Sequence, residues 1–137
     1  MTTIQILEQY GLNFANVIFP NDPNKLMNKS FTGGGFMEDF FGYTFNYVEL
    51  LDEDVIPVIN HFIAGNVSQM DDQLHISTGG FVIFDTELSA VIFYNYDISL
   101  DYIESVPFED FKTIAEAWRN FLLTPPLNGV SSSGLSS

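Results

Sequence analysis

Between Ser30 and Phe111 the chain has no lysine or arginine, yet that run carries fifteen carboxylates. An ionised carboxylate without a partner stays in water, so local ion pairing cannot neutralise the run, and its apolar residues have to build the core around side chains kept at the surface. The four basic residues lie outside it, Lys25 and Lys29 before and Lys112 and Arg119 after, and the formal net charge is −14. Self-repulsion of that size costs stability and is usually tolerated for solubility or for steering toward a positive partner.

A chain of 137 residues with 46% hydrophobic content is long enough to bury a core in one domain. The 14 Phe and 6 Tyr exceed what such a core needs, which places some rings at or near the surface. With no Cys, disulfides and thiolate metal sites are excluded. The start Met-Thr-Thr-Ile-Gln lacks the basic segment and apolar run of a signal peptide, and no apolar stretch approaches the roughly 20 residues of a membrane span. The expected setting is the cytoplasm, without membrane association.

Periodicity and breakers predict an α+β fold in which an antiparallel sheet of about four to five strands packs against helices, including a C-terminal amphipathic helix. Thr3 is expected to cap a first helix that uses Ile4, Leu7 and Tyr10 for packing and ends at Gly11. A strand follows over Asn13 to Phe19, then a turn at Asn21-Asp22-Pro23-Asn24 and a loop at Gly33-Gly34-Gly35. From Phe41, the rings of Phe41, Tyr43, Phe45 and Tyr47 alternate with Gly42, Thr44, Asn46 and Val48, predicting a strand with one aromatic face.

Asp52-Glu53-Asp54 reads as the acidic cap of a helix from Val55 that Gly65 ends. Leu74 to Ser77 and Phe81 to Asp85 read as strands, and Val91 to Tyr96 forms a hairpin with the second of them. The last helix is the clearest, with Pro107 at its start, Glu109 and Asp110 in its first turn, and Phe108, Phe111, Ile114, Ala115, Trp118, Phe121 and Leu122 on one stripe. A single globular domain is thus expected over residues 1–124, and a Pro/Ser-rich, disordered tail over 125–137.

Catalytic templates find little here. His61 and His75 read as structural residues, and no Gly-x-Ser-x-Gly occurs. Gly33-Gly34-Gly35 lacks the lysine of a phosphate cradle and is followed by Glu38-Asp39, which repel an anion. The clusters Asp52-Glu53-Asp54, Asp71-Asp72 and Asp97 with Asp101 lack the ligand order of an EF-hand loop. No enzyme activity, metal or cofactor is expected.

Direct nucleic-acid binding fails on electrostatics, because affinity for phosphates comes chiefly from lysine and arginine. The favoured function is recognition of a basic protein partner, with Glu38, Asp39, Asp52, Glu53, Asp54, Asp71 and Asp72 as contacts and Phe40, Phe41 and Tyr43 as aromatic anchors.

The segments Gly79-Gly80-Phe81-Val82-Ile83-Phe84-Asp85, Val91-Ile92-Phe93-Tyr94 and Ser105-Val106-Pro107-Phe108-Glu109-Asp110-Phe111 resemble the closing half of SUKH-superfamily proteins, many of them bacterial immunity proteins. The resemblance spans Gly79 to about Leu123. It implies stoichiometric occlusion of a cognate toxin, often a nuclease. The alternatives are a DNA mimic that blocks a restriction or CRISPR effector, and a small enzyme or metal-binding protein whose carboxylates converge with His61 or His75.

Overall fold

The computed structural model describes residues 1–65, 73–76, 80–95 and 103–129. The chain opens with α1 (Thr3–Gln9), capped by Thr2 and not by Thr3. The Thr2 hydroxyl accepts from Gln5 N–H at 3.2 Å while the Gln5 side chain accepts from Thr2 N–H at 2.9 Å. That reciprocal pair needs a glutamine three residues beyond the cap, a spacing that Thr3 lacks. Starting one residue earlier, α1 buries Ile6, half-buries Leu7 and Tyr10, and leaves Ile4 exposed.

Strand β1 (Asn13–Ile18) pairs antiparallel with β2 (Met27–Thr32), from Asn13 opposite Thr32 to Ile18 opposite Met27. The Asp22 carboxylate organises the connecting turn by accepting from Asn24 N–H at 3.0 Å and Leu26 N–H at 2.9 Å, and these bonds hold its pKa below the ordinary value of 3.8. Gly33, Gly34 and Gly35 then all take positive φ, and a Cβ on Gly33 would collide with the Gly11 carbonyl. Only glycine follows this path without steric cost.

The expected aromatic strand is a helix. Residues Glu38–Thr44 wind as a π-helix closed by Phe45 N–H donating to Phe40 C=O at 2.9 Å. Phe36, Met37, Phe40, Phe41 and Phe45 are buried, while Tyr43 and Tyr47 are exposed. Spacings of one, three and four residues among the buried positions are helical, and they override the alternation of rings that suggested a strand.

A second helical run joins α2 (Val48–Leu50), a π-wound turn at Leu51–Val55 and α3 (Ile56–Ala64), and ends at Gly65 with φ 80°. Pro57 has no N–H to return to the preceding turn, and the wider winding lies immediately upstream of it. Asp52, Glu53 and Asp54 therefore sit inside a helix that begins at Val48 and do not cap one.

Strands β3 (Gln73–Ile76), β4 (Gly80–Asp85), β5 (Ala90–Asn95) and β6 (Ile103–Pro107) form an antiparallel sheet in that order. Strands are thus divided between a two-stranded and a four-stranded sheet, and are not gathered into the single sheet expected. Helix α4 (Phe108–Leu122) connects the two. Near its start Phe111 meets Phe84 and Phe93 of the larger sheet at ring separations of 5.9 and 6.3 Å. Two turns on, Trp118 meets Phe14 and Phe31 of the hairpin at 5.2 and 5.3 Å.

Beyond α4 the chain runs back along β2, where Gly129 N–H donates to Met27 C=O at 2.8 Å. The segment expected to begin a disordered tail at residue 125 is therefore anchored as far as Gly129, and residues 130–137 lie outside those described.

Tyr10 ties α1 to α4 by donating to Asp110 Oδ2 at 2.7 Å. Burial first, and then the Asp110 carboxylate as hydrogen-bond and charge partner, push the phenol pKa up from 10.0. In the unfolded chain the phenol ionises first, so the native state holds more protons and stability falls as pH rises above about 10. Lys29 acts oppositely: burial lowers its pKa below 10.5, and stability rises with pH up to that value. Tyr10→Phe is expected to flatten the alkaline loss in a urea-unfolding series from pH 9 to about 11.5. An unchanged profile would show that Tyr10 does not cause it.

Candidate partner-binding surface

Many carboxylates turn out to have work inside the fold. Glu38 Oε1 accepts from Gly33 N–H at 3.0 Å and Glu104 Oε2 from Phe36 N–H at 3.1 Å, so two of the protein's own anionic groups hold the glycine loop. Asp85 Oδ1 accepts from Leu88 N–H at 3.0 Å in the β4–β5 turn. Asp52 makes a two-pronged pair with Arg119, at 2.5 Å to Nε and 3.1 Å to Nη2. It is the one ion pair among the described residues, and its exposure to solvent and salt screening keeps its contribution to stability small.

The residues expected to form one contact surface separate accordingly. Phe40 and Phe41 are fully buried and cannot anchor a partner; Phe40 packs on Phe45 and Phe111, Phe41 on Phe31 and Phe111. Glu38 is half-buried and engaged with Gly33. Asp39 is half-buried, and burial together with neighbouring Glu38 raises its pKa above 3.8. Asp52 is occupied by Arg119. Glu53 and Asp54 remain as expected exposed carboxylates, joined by Glu49 one turn earlier on the same helical run. None of these three side chains makes a hydrogen bond or ion pair among the described residues. Asp71, Asp72, Asp97 and Asp101 lie outside the described residues.

Tyr43 is 63% exposed and stands at a cleft of about 480 Å³ that the sequence did not announce. The cleft lies between β2 and the turn after the π-helix, with Tyr43, Asn46 and Tyr47 on one side, Asn28 and Ser30 on the other, and Asn128 at one end. Of the eight exposed large apolar side chains among the described residues, the three aromatic ones, Phe19, Tyr43 and Tyr47, all line this one feature.

Lys29 is among the residues lining the cleft but is buried, with its side chain directed to the end of α4. Its ammonium donates to Asn16 Oδ1 at 2.7 Å and Thr124 Oγ1 at 3.3 Å, and lies 4.3 Å from the centre of the Phe121 ring. The end of α4 and the aromatic face supply the negative potential that a carboxylate would otherwise provide. Two of the four cations are thereby unavailable to neutralise the acidic surface, Lys29 by burial and Arg119 by pairing.

His61 is exposed at the outer face of α3, and among the described residues no three His, Asp or Glu side chains are grouped to hold a metal ion. No described helix is long and apolar enough to cross a membrane. Comparison with protein-family profiles, curated proteins and solved structures found no match.

Proposed function

We propose that the chain is a non-enzymatic acidic inhibitor, an immunity protein that binds and neutralises a basic toxin, with a nuclease as the favoured target. The observation that carries this reading is the unpaired acidic stretch Glu49, Glu53 and Asp54 on the outer surface of the second helical run. Its charges are not consumed by the fold, whereas Glu38, Glu104, Asp85 and Asp52 are. Carboxylates carried on a helix place their charge without further ordering of the backbone, and their field speeds encounter with a positive surface. The resemblance of the Gly79 to Leu123 region to immunity proteins supports the same reading.

Capture by the tagged full chain from host lysate, with mass spectrometry of what is retained, tests the proposal. The expected prey is a basic toxin domain whose affinity falls at least about tenfold between 50 and 300 mM salt. The triple variant Glu49→Gln, Glu53→Gln, Asp54→Asn is expected to weaken binding further with an unchanged far-UV spectrum. A complex indifferent to salt and to the triple variant would sink electrostatic recognition. Capture of a restriction or CRISPR effector would replace the toxin reading with a DNA mimic.

A further inference from the structure

We infer that the outer edge of β2, together with the cleft beside it, is a docking groove for an extended, cationic peptide segment of a partner protein. In an antiparallel pair, successive residues point their N–H and C=O alternately toward the neighbouring strand and away from it. Met27 C=O accepts from Gly129 N–H at 2.8 Å and Lys29 N–H donates to Asn128 Oδ1 at 3.2 Å, so the backbones of residues 27, 29 and 31 face away from β1. The chain's own return segment takes the first two of these groups. The next two along the edge, Lys29 C=O and Phe31 N–H, have no hydrogen-bond partner among the described residues, and both residues line the cleft.

An incoming strand parallel to β2 satisfies both groups with the N–H and C=O of a single residue. This is strand addition to a sheet edge, in which backbone bonds hold the peptide and flanking pockets choose its side chains. Gly129 N–H and the Asn128 side chain already bond to the neighbouring groups of the same edge, so its outward backbone groups are within reach of another segment. Gly42 keeps the groove open: a Cβ there would stand 3.2 Å from the Phe31 carbonyl oxygen. The exposed rings of Tyr43, Tyr47 and Phe19 supply the walls, and about 480 Å³ falls in the size range of ligand sites.

The preference for a cationic peptide follows from charge. No described lysine or arginine side chain faces the cleft, since the Lys29 ammonium is turned to Asn16 and Thr124, and Glu49 stands exposed two residues beyond Tyr47. That preference rests on the acidic-surface reading proposed above; the backbone groove does not.

Titration of the ¹⁵N-labelled full chain with the blocked peptide Lys-Val-Lys-Val-Lys, its N-methyl-valine analogue and Glu-Val-Glu-Val-Glu tests both parts. In the free protein the Phe31 amide is expected to exchange faster than those of Asn28, Ser30 and Thr32, which face β1. The lysine peptide is expected to shift the Phe31 amide and slow its exchange at least about tenfold, and Tyr47→Ala to weaken binding by about the same factor. The N-methylated and acidic peptides should do neither. An unmoved Phe31 amide, or equal binding of the N-methylated peptide, overturns the groove. If the lysine peptide shifts only the Glu49, Glu53 and Asp54 amides, the groove falls while the acidic-surface reading stands. Equal binding of the acidic peptide overturns the cationic preference.

Discussion

Replacing Trp118 with alanine is expected to cost about 3–5 kcal/mol of stability, a large fraction of what a domain of this size possesses. The indole is fully buried where α4 meets the β1–β2 hairpin, with the rings of Phe14, Phe31 and Phe121 within 6.0 Å of it. Its Nε1–H donates at 3.1 Å to the carbonyl of Phe45, at the end of the π-helix. Alanine would leave a cavity among four elements and also an unpaired carbonyl, which by itself costs about 1–3 kcal/mol. Trp118→Phe fills most of the volume and loses the hydrogen bond, so it should fall near that lower range. Urea unfolding followed by far-UV circular dichroism measures both, since Trp118 is the sole tryptophan and its fluorescence is lost with it. A loss below about 1 kcal/mol for the alanine variant would contradict this account of how the hairpin is joined to the rest.

Phe40→Ala and Tyr43→Ala should behave oppositely although they lie within one π-helix. Phe40 is fully buried at the centre of the aromatic cluster, with Phe41, Phe45, Phe93 and Phe111 at ring separations of 4.6 to 5.8 Å. Removing its ring is expected to cost about 3–5 kcal/mol, from lost burial, cavity formation and broken ring pairs. Tyr43 lies at the cleft mouth, and its truncation should change stability by no more than about 0.5 kcal/mol. Equilibrium unfolding of the two variants separates core from surface directly. Comparable losses at both positions would mean that the burial described for this segment is wrong.

That contrast marks where the sequence was legible. The apolar stripe from Phe108 to Leu122 repeats at helical spacing for four turns, and α4 is found with its core face as read. Strands β4 and β5 were visible because their β-branched and aromatic residues crowd beside a short turn. Strand β2 was missed because its inward positions are Met27, Lys29 and Phe31, and a lysine in the middle hides the alternation. Lys29 can be buried only because Asn16, Thr124 and Phe121 meet it from elsewhere in the chain. Strand β6 was also missed: Ile103–Pro107 ends in the proline that reads as a helix start. The aromatic stretch from Phe41 to Tyr47 fitted two periods at once, and the buried positions from Phe36 onward chose the helical one.

The candidate surface divides in the same way. The excess of carboxylates and the confinement of cations to the two ends of the chain are properties of the sequence, and no folding event alters them. Which carboxylates remain free depends on partners far away in sequence, as when Arg119 occupies Asp52 from 67 residues on and Glu104 reaches Phe36 from 68. The cleft likewise needs the Asn128–Gly129 segment to return to β2 beside Tyr43 and Tyr47. Composition and local period by themselves determined an acidic α+β chain with an amphipathic final helix. Tertiary structure alone decided which charges and rings face solvent together, because burial and hydrogen bonding are settled between elements that periodicity reads one at a time.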